Sequence, residues 1–140
     1  KPTEKDLQTL SPQEFEVTQN AATDAPFSHK LTDEFKSGLY VDITTGEPLF
    51  GSSRKFESHC GWPSFTKPIA KDVIRYYKDN SHGMQRIEVR SRIGNAHLGH
   101  VFEDGPNGSL RYCINGSALK FIPKNELLGT KYEYLIPYID

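Results

Sequence analysis

Apolar and polar positions alternate at period two in several short runs, each closed by turn-forming residues. Leu39, Val41 and Ile43 alternate with Tyr40 and Asp42, and Thr44-Thr45-Gly46-Glu47 turns the chain into Pro48-Leu49-Phe50. This pattern predicts a hairpin. Ile87, Val89 and Ile93 share one face and Glu88, Arg90 and Arg92 the other, until Gly94-Asn95 breaks the run. Asp104-Gly105-Pro106-Asn107-Gly108 separates a strand that begins near His97 from one that ends near Asn115, predicting a second hairpin. Ala118, Leu119, Phe121 and Ile122 continue the sheet region to Pro123. Helix signals are confined to the start, where Thr3 precedes Asp6 and Ser11-Pro12 precedes Glu14, giving two short helical segments between Lys1 and Gln19. Asn20 to Lys30 has no period and is expected to wrap as an ordered loop. Asp72 to Asn80 and the aromatic tail from Lys131 carry no assignable period. The fold class is mainly β: two packed antiparallel sheets with short N-terminal helices.

A chain of 140 residues suits a single domain, 1–140, large enough for a core without staples. It begins at Lys1 without a methionine, which suggests a domain cut from a longer protein. Seventeen basic residues against 18 acidic ones give a formal net charge of −1, which excludes an electrostatic case for nucleic acid or an anionic membrane. No apolar run approaches membrane-spanning length and no signal segment is present, so the chain is expected to be a soluble monomer. The cytoplasm is the favoured compartment unless the chain belongs to a longer exported one. Two cysteines do not make a disulfide framework, and a functional pair is the better reading.

The chemistry gathers in His97-Leu98-Gly99-His100-Val101-Phe102 and Arg111-Tyr112-Cys113-Ile114-Asn115. In a strand Arg111, Cys113 and Asn115 share a face, so the Cys113 thiol lies on a polar side with a cation next to it to stabilise the thiolate and an amide to hold a polar group. A small buried hydrophobe is the alternative for Cys113. His97 and His100 are three apart and fall on opposite faces of a regular strand, unless the backbone kinks at Gly99.

These two stretches and Cys60-Gly61-Trp62-Pro63-Ser64-Phe65 together resemble methionine sulfoxide reductase B, which reduces the R epimer of methionine sulfoxide. The resemblance runs from about Leu10 to Pro123. It implies Cys113 as nucleophile and Cys60 as resolving thiol. It also implies His100 as the acid nearest the substrate oxygen and His97 assisting through water or hydrogen bonds; the Asn115 amide, placed to hold a polar substrate group, completes the candidate catalytic set. Trp62 is an apolar wall matched to the sulfoxide's methyl group, and Arg111, Phe102 and His82 fill out the substrate-binding set, although His82 reads first as a solvated loop histidine. Substrates are methionine R-sulfoxide in proteins or free, no cofactor is bound, and thioredoxin or another dithiol is the reductant. Many family members hold zinc with two cysteine pairs; here those positions are Asp42, Thr45, Ser91 and Gly94, so no ligand set remains and no metal is expected. Two rival classes stay open: a zinc module built on His97, His100 and a cysteine, and a non-catalytic domain that binds oxidised methionine through Trp62.

Overall fold

The computed structural model describes residues 2–140. Lys1, where the first helical segment was expected to open, lies outside them. The first helix α1 (Glu4–Gln8) is capped by Thr3 and the second, α2 (Pro12–Asn20), by Ser11, each in a reciprocal capping box with the side chain three residues on. Ala21 ends α2 in the left-handed conformation, and the chain then wraps from Ala22 to His29 without regular structure.

Two antiparallel sheets follow. The smaller has the order β2-β1-β8, with β1 (Gly38–Asp42), β2 (Pro48–Gly51) and β8 (Leu119–Pro123). The larger has the order β3-β7-β6-β5-β4, with β3 (Ser64–Phe65), β4 (Ile74–Asp79), β5 (Arg86–Ser91), β6 (His97–Phe102) and β7 (Arg111–Ile114). Both expected hairpins form, β1–β2 and β6–β7. Between the sheets Tyr40, Phe50 and Phe65 are fully buried, with Phe50 and Phe65 stacked at 4.3 Å and Tyr40 edge-on to Phe65 at 5.1 Å. Rings of this size are the largest contributors to burial in the core of a 140-residue chain.

β1 departs from the expected one-sided alternation, because all five of its residues are buried. The cause is the tail. Leu127, Leu135 and Ile139 pack against Leu39 and Val41 on the outer side of the small sheet, while Tyr40 faces the inter-sheet core. The segment Glu133–Tyr138 does this as a 3-10 helix. Ile93 also departs from its expected apolar face: it lies beyond the end of β5, in a turn, and is 48% exposed.

Candidate active site

The functional face of the large sheet is the one turned away from the core. Register pairing sets a row across it, because residues paired between strands share a face: Tyr77 with Glu88, Glu88 with His100, His100 with Cys113, and Cys113 with Ser64. Phe102 pairs with Arg111, and Asp79 with Arg86, on the same side. Gly99 allows Cys113 this close, since a Cβ there would collide with the Cys113 carbonyl.

His97 reaches this face through a bulge. Val89 pairs with Gly99 while Arg90 pairs with His97, so Leu98 is the extra residue and turns into the core, fully buried. The two imidazoles then stand 5.6 Å apart, edge to face. The kink required beside Gly99 is present, and both histidines serve one side.

Each histidine is held by a carboxylate. His97 Nδ1 lies 2.6 Å from Glu88 Oε2, and the same carboxylate takes a fork from Arg90 Nε and Nη2, both at 3.0 Å. Burial works against the Glu88 charge, but Arg90 and His97 outweigh it and hold the carboxyl below its usual range. Glu88 therefore accepts, and the proton of a neutral His97 sits on Nδ1. Burial lowers the His97 pKa, with Glu88 opposing, and its Nε2 has no hydrogen-bond partner among the described residues. His100 Nε2 lies 2.7 Å from Asp79 Oδ2. Hydrogen bonds from Ser81, then that of His100, hold the Asp79 carboxyl far below the usual carboxylate range.

The thiols form a pair. Cys60 sits in the turn before β3, where Ser58 Oγ donates to its sulfur at 2.9 Å, and Cys60 Sγ stands 3.6 Å from Cys113 Sγ. The contact with Cys113 lowers the Cys60 pKa, burial opposing and Ser58 and Ser64 assisting. The same contact, burial and the charge on Cys60 push the Cys113 thiol up, and the Arg111 charge opposes this only in part. One proton thus leaves the pair easily and the second is held tightly. Arg111 is itself engaged: its Nε donates to Asp104 Oδ1 at 2.9 Å, and its guanidinium lies 4.4 Å over the Phe102 ring.

A cavity of about 210 Å³ opens over Cys113, walled by Trp62, Phe102, His100, Arg111 and Cys60. Gly99, Asn115, Thr23 and Arg86 complete it. Trp62 Nε1 donates to the Asp24 carbonyl at 2.9 Å. Asn115 lies just past β7, where its Nδ2 donates to the Leu98 carbonyl at 3.0 Å and its Oδ1 accepts from Asp24 N–H at 2.9 Å. Its amide thus fixes the frame as well as lining the cavity. Two expected site residues stand outside the cavity lining: His97, which sits behind His100, and His82, which is exposed in the turn Ser81–Gly83.

Asp24, Asp79, Glu88 and Arg86 escape sequence reasoning. Asp24 is the most consequential. Buried in the irregular wrap, it accepts from Ser117 Oγ at 2.6 Å, Ser117 N–H at 2.9 Å and Gln13 Nε2 at 3.0 Å, tying α2 and the wrap to the end of β7.

A family model for the SelR domain matches residues 10–123. The chain belongs to that family. SelR domains reduce methionine R-sulfoxide, and the protein is accordingly a peptide-methionine (R)-S-oxide reductase, an oxidoreductase. In this SelR domain the two turns that correspond to the zinc arms meet without a zinc ligand set. A Cβ on Gly94 would come within 2.8 Å of Asp42 Oδ2 and Thr44 Oγ1, so only glycine lets the turns pack this closely. Glu47 bridges them, accepting from Ile93 N–H at 3.1 Å and pairing with Arg92 at 3.0 Å. One carboxylate and two hydroxyls at Asp42, Thr45 and Ser91 do not fit tetrahedral zinc. No helix of the described residues is long and apolar enough to cross a membrane.

Proposed function

We propose that the SelR chemistry runs on the Cys113 and Cys60 thiols, with thioredoxin or an equivalent dithiol restoring them. The sulfoxide, free or in a protein, enters with its methyl group against Trp62 and Phe102 and its oxygen toward His100. As it binds, the Cys113 proton passes across the thiol pair to Cys60, and the Cys113 thiolate attacks the sulfoxide sulfur. His100 delivers its Nε2 proton to the oxygen, exchanging the Asp79 hydrogen bond for one to substrate. In the resulting adduct the protonated oxygen passes from the substrate sulfur to the Cys113 sulfur as both of its bonds to the substrate break, so methionine leaves reduced by two electrons and Cys113 is left as a sulfenic acid. Cys60 then attacks that sulfur, water departs, and a disulfide forms. The two thiols supply both electrons, so the balance needs no bound organic cofactor.

The observation that carries this reading is the 3.6 Å approach of the two sulfurs directly beside His100, which pairs with Cys113 across the strands. In the regeneration step a thiolate of the reductant attacks Cys60, the Cys60–Cys113 bond breaks, and Cys113 leaves as a thiolate beside the Arg111 cation. The test is Cys113→Ser, which must lose all turnover with both thioredoxin and dithiothreitol. Retained turnover with either reductant removes Cys113 as the nucleophile.

A further inference from the structure

Recycling by a protein dithiol passes through a covalent intermediate in which a partner's sulfur is bonded to one of these two, at about 2.05 Å. The partner's surface must then rest on whatever borders the attacked sulfur. Cys113 is mid-strand, flanked by β3 and β6 on its two sides. Cys60 lies in a turn outside the strands, half-buried between the exposed His59 and the buried Gly61. Cys60 is therefore the sulfur that a folded partner can approach.

The border of Cys60 has an uncommon composition. Ala25, Pro26 and Phe27 are three consecutive apolar residues, all exposed, and the Phe27 side of the turn stands 69% open to solvent. Phe27 N–H donates to the Gly61 carbonyl at 2.7 Å, which fixes this turn directly against the Cys60 loop. Phe27 has φ 60° and His59 has φ 60°, a left-handed backbone that bulky side chains rarely adopt. Such strain persists where the surroundings hold it, and here Asp24, three residues before Phe27, is anchored in the interior through its carboxylate and its N–H. Nothing in the reductive chemistry uses Phe27. An exposed ring on a turn bonded to the loop of a redox sulfur has the character of an interface anchor.

We propose that the Ala25–Phe27 turn together with His59 is the docking rim for a folded dithiol protein of the thioredoxin class, with Phe27 as its apolar anchor. The proposal rests on the disulfide reading above. On the docked complex the partner's thiolate attacks Cys60, the Cys60–Cys113 bond breaks, and Cys113 departs as a thiolate and takes a proton. The partner's second thiol then attacks its own sulfur, releasing Cys60 and leaving the partner as the disulfide. Two electrons move from partner to pair. A small dithiol needs no rim for the same exchange.

The experiment is steady-state turnover of the full chain at varied thioredoxin, with thioredoxin reductase and NADPH, beside turnover driven by dithiothreitol. Phe27→Ala should raise the KM for thioredoxin about tenfold, as expected from removing a buried aromatic anchor, while dithiothreitol turnover stays within about twofold of the parent. Phe27→Tyr should restore the parental KM. An unchanged thioredoxin KM in Phe27→Ala overturns the proposal, as does an equal loss with both reductants, which would assign Phe27 to the fold. A parent that cycles with dithiothreitol but with no concentration of thioredoxin overturns the docking partner while leaving sulfoxide reduction intact.

Discussion

His97 and His100 serve the same side of one strand, their rings 5.6 Å apart, because Leu98 between them is the extra residue of a bulge. The bulge puts His97 behind His100, in a buried site where, among the described residues, only Glu88 meets its ring nitrogens.

That placement predicts a pH dependence of stability. Burial lowers the folded-state pKa of His97 below its unfolded value of 6.5, so its contribution to stability is complete above pH 6.5 and is lost as pH falls through the lower folded value. Burial lowers the His29 pKa as well, which adds to the same loss. Urea midpoints measured between pH 7.5 and 5, a range set by the histidine pKa of about 6.5, should fall toward acid in the parent. They should fall less steeply in His97→Gln, which retains the His29 share and that of the Cys60 thiol, whose pKa is also lowered in the folded protein. Parallel slopes in the two proteins would show that His97 does not titrate from a buried site.

Asp79 is expected to act through His100. Asp79→Asn keeps a hydrogen-bond acceptor but removes the carboxylate, and should slow the single-turnover rate about tenfold while leaving KM within about twofold. His100→Ala should slow it by about a hundredfold. Trp62→Ala should give the opposite split, a raised KM with a smaller effect on rate. Rapid-mixing kinetics with a fixed R-sulfoxide distinguish the two patterns, and an unaltered rate in His100→Ala would assign the proton to another group.

The amount of this that the chain discloses on reading differs from element to element. The caps at Thr3 and Ser11, the Gly46 and Gly105–Gly108 turns and the polar face of Cys113 follow from local rules, and each forms. β4 does not disclose itself, because it is an edge strand with Arg75, Tyr76, Tyr77 and Lys78 all exposed, so no alternation marks it. β3, two residues long, is defined only by its partner β7. Asp24 is a single carboxylate in an aperiodic loop, and its role depends on Ser117 and Asn115, more than 90 residues away. The tail is unreadable for a similar reason: Leu127, Leu135 and Ile139 follow no strand or helix period, and their spacing makes sense only against Leu39 and Val41.

Asp24 should prove a structural residue with functional consequences. Asp24→Ala leaves Ser117 and Gln13 donors without their acceptor and should cost roughly 3 kcal/mol, read as a lower urea midpoint. With the wrap loosened, Trp62 loses its fixed orientation, so KM should rise in the fraction that remains folded. A loss under about 0.5 kcal/mol, the size of an ordinary surface change, would contradict the network.

The thiol pair predicts where an electrophile lands. Since contact with Cys113 holds the Cys60 pKa down and the same contact pushes Cys113 up, iodoacetamide at pH 6 should label Cys60 before Cys113 in the reduced enzyme. Peptide mapping by mass spectrometry after short exposure reads the order. In Cys60→Ser that contact is gone, and Cys113 should label faster than it does in the parent. Labelling of Cys113 first in the parent would reverse the charge assignment.

Cys113 is the sulfur that takes the sulfoxide oxygen and Cys60 the sulfur that resolves the product, and one single-turnover measurement on Cys60→Ser tests this division. With no third cysteine in the chain to substitute, the variant should release about one equivalent of methionine, as the reductive step requires, and then stall with thioredoxin. Mass spectrometry should find an oxidised, trappable Cys113 in the variant and a Cys60–Cys113 disulfide in the parent. A variant that cycles with thioredoxin as fast as the parent, or one that releases no methionine in the first turnover, would contradict the account.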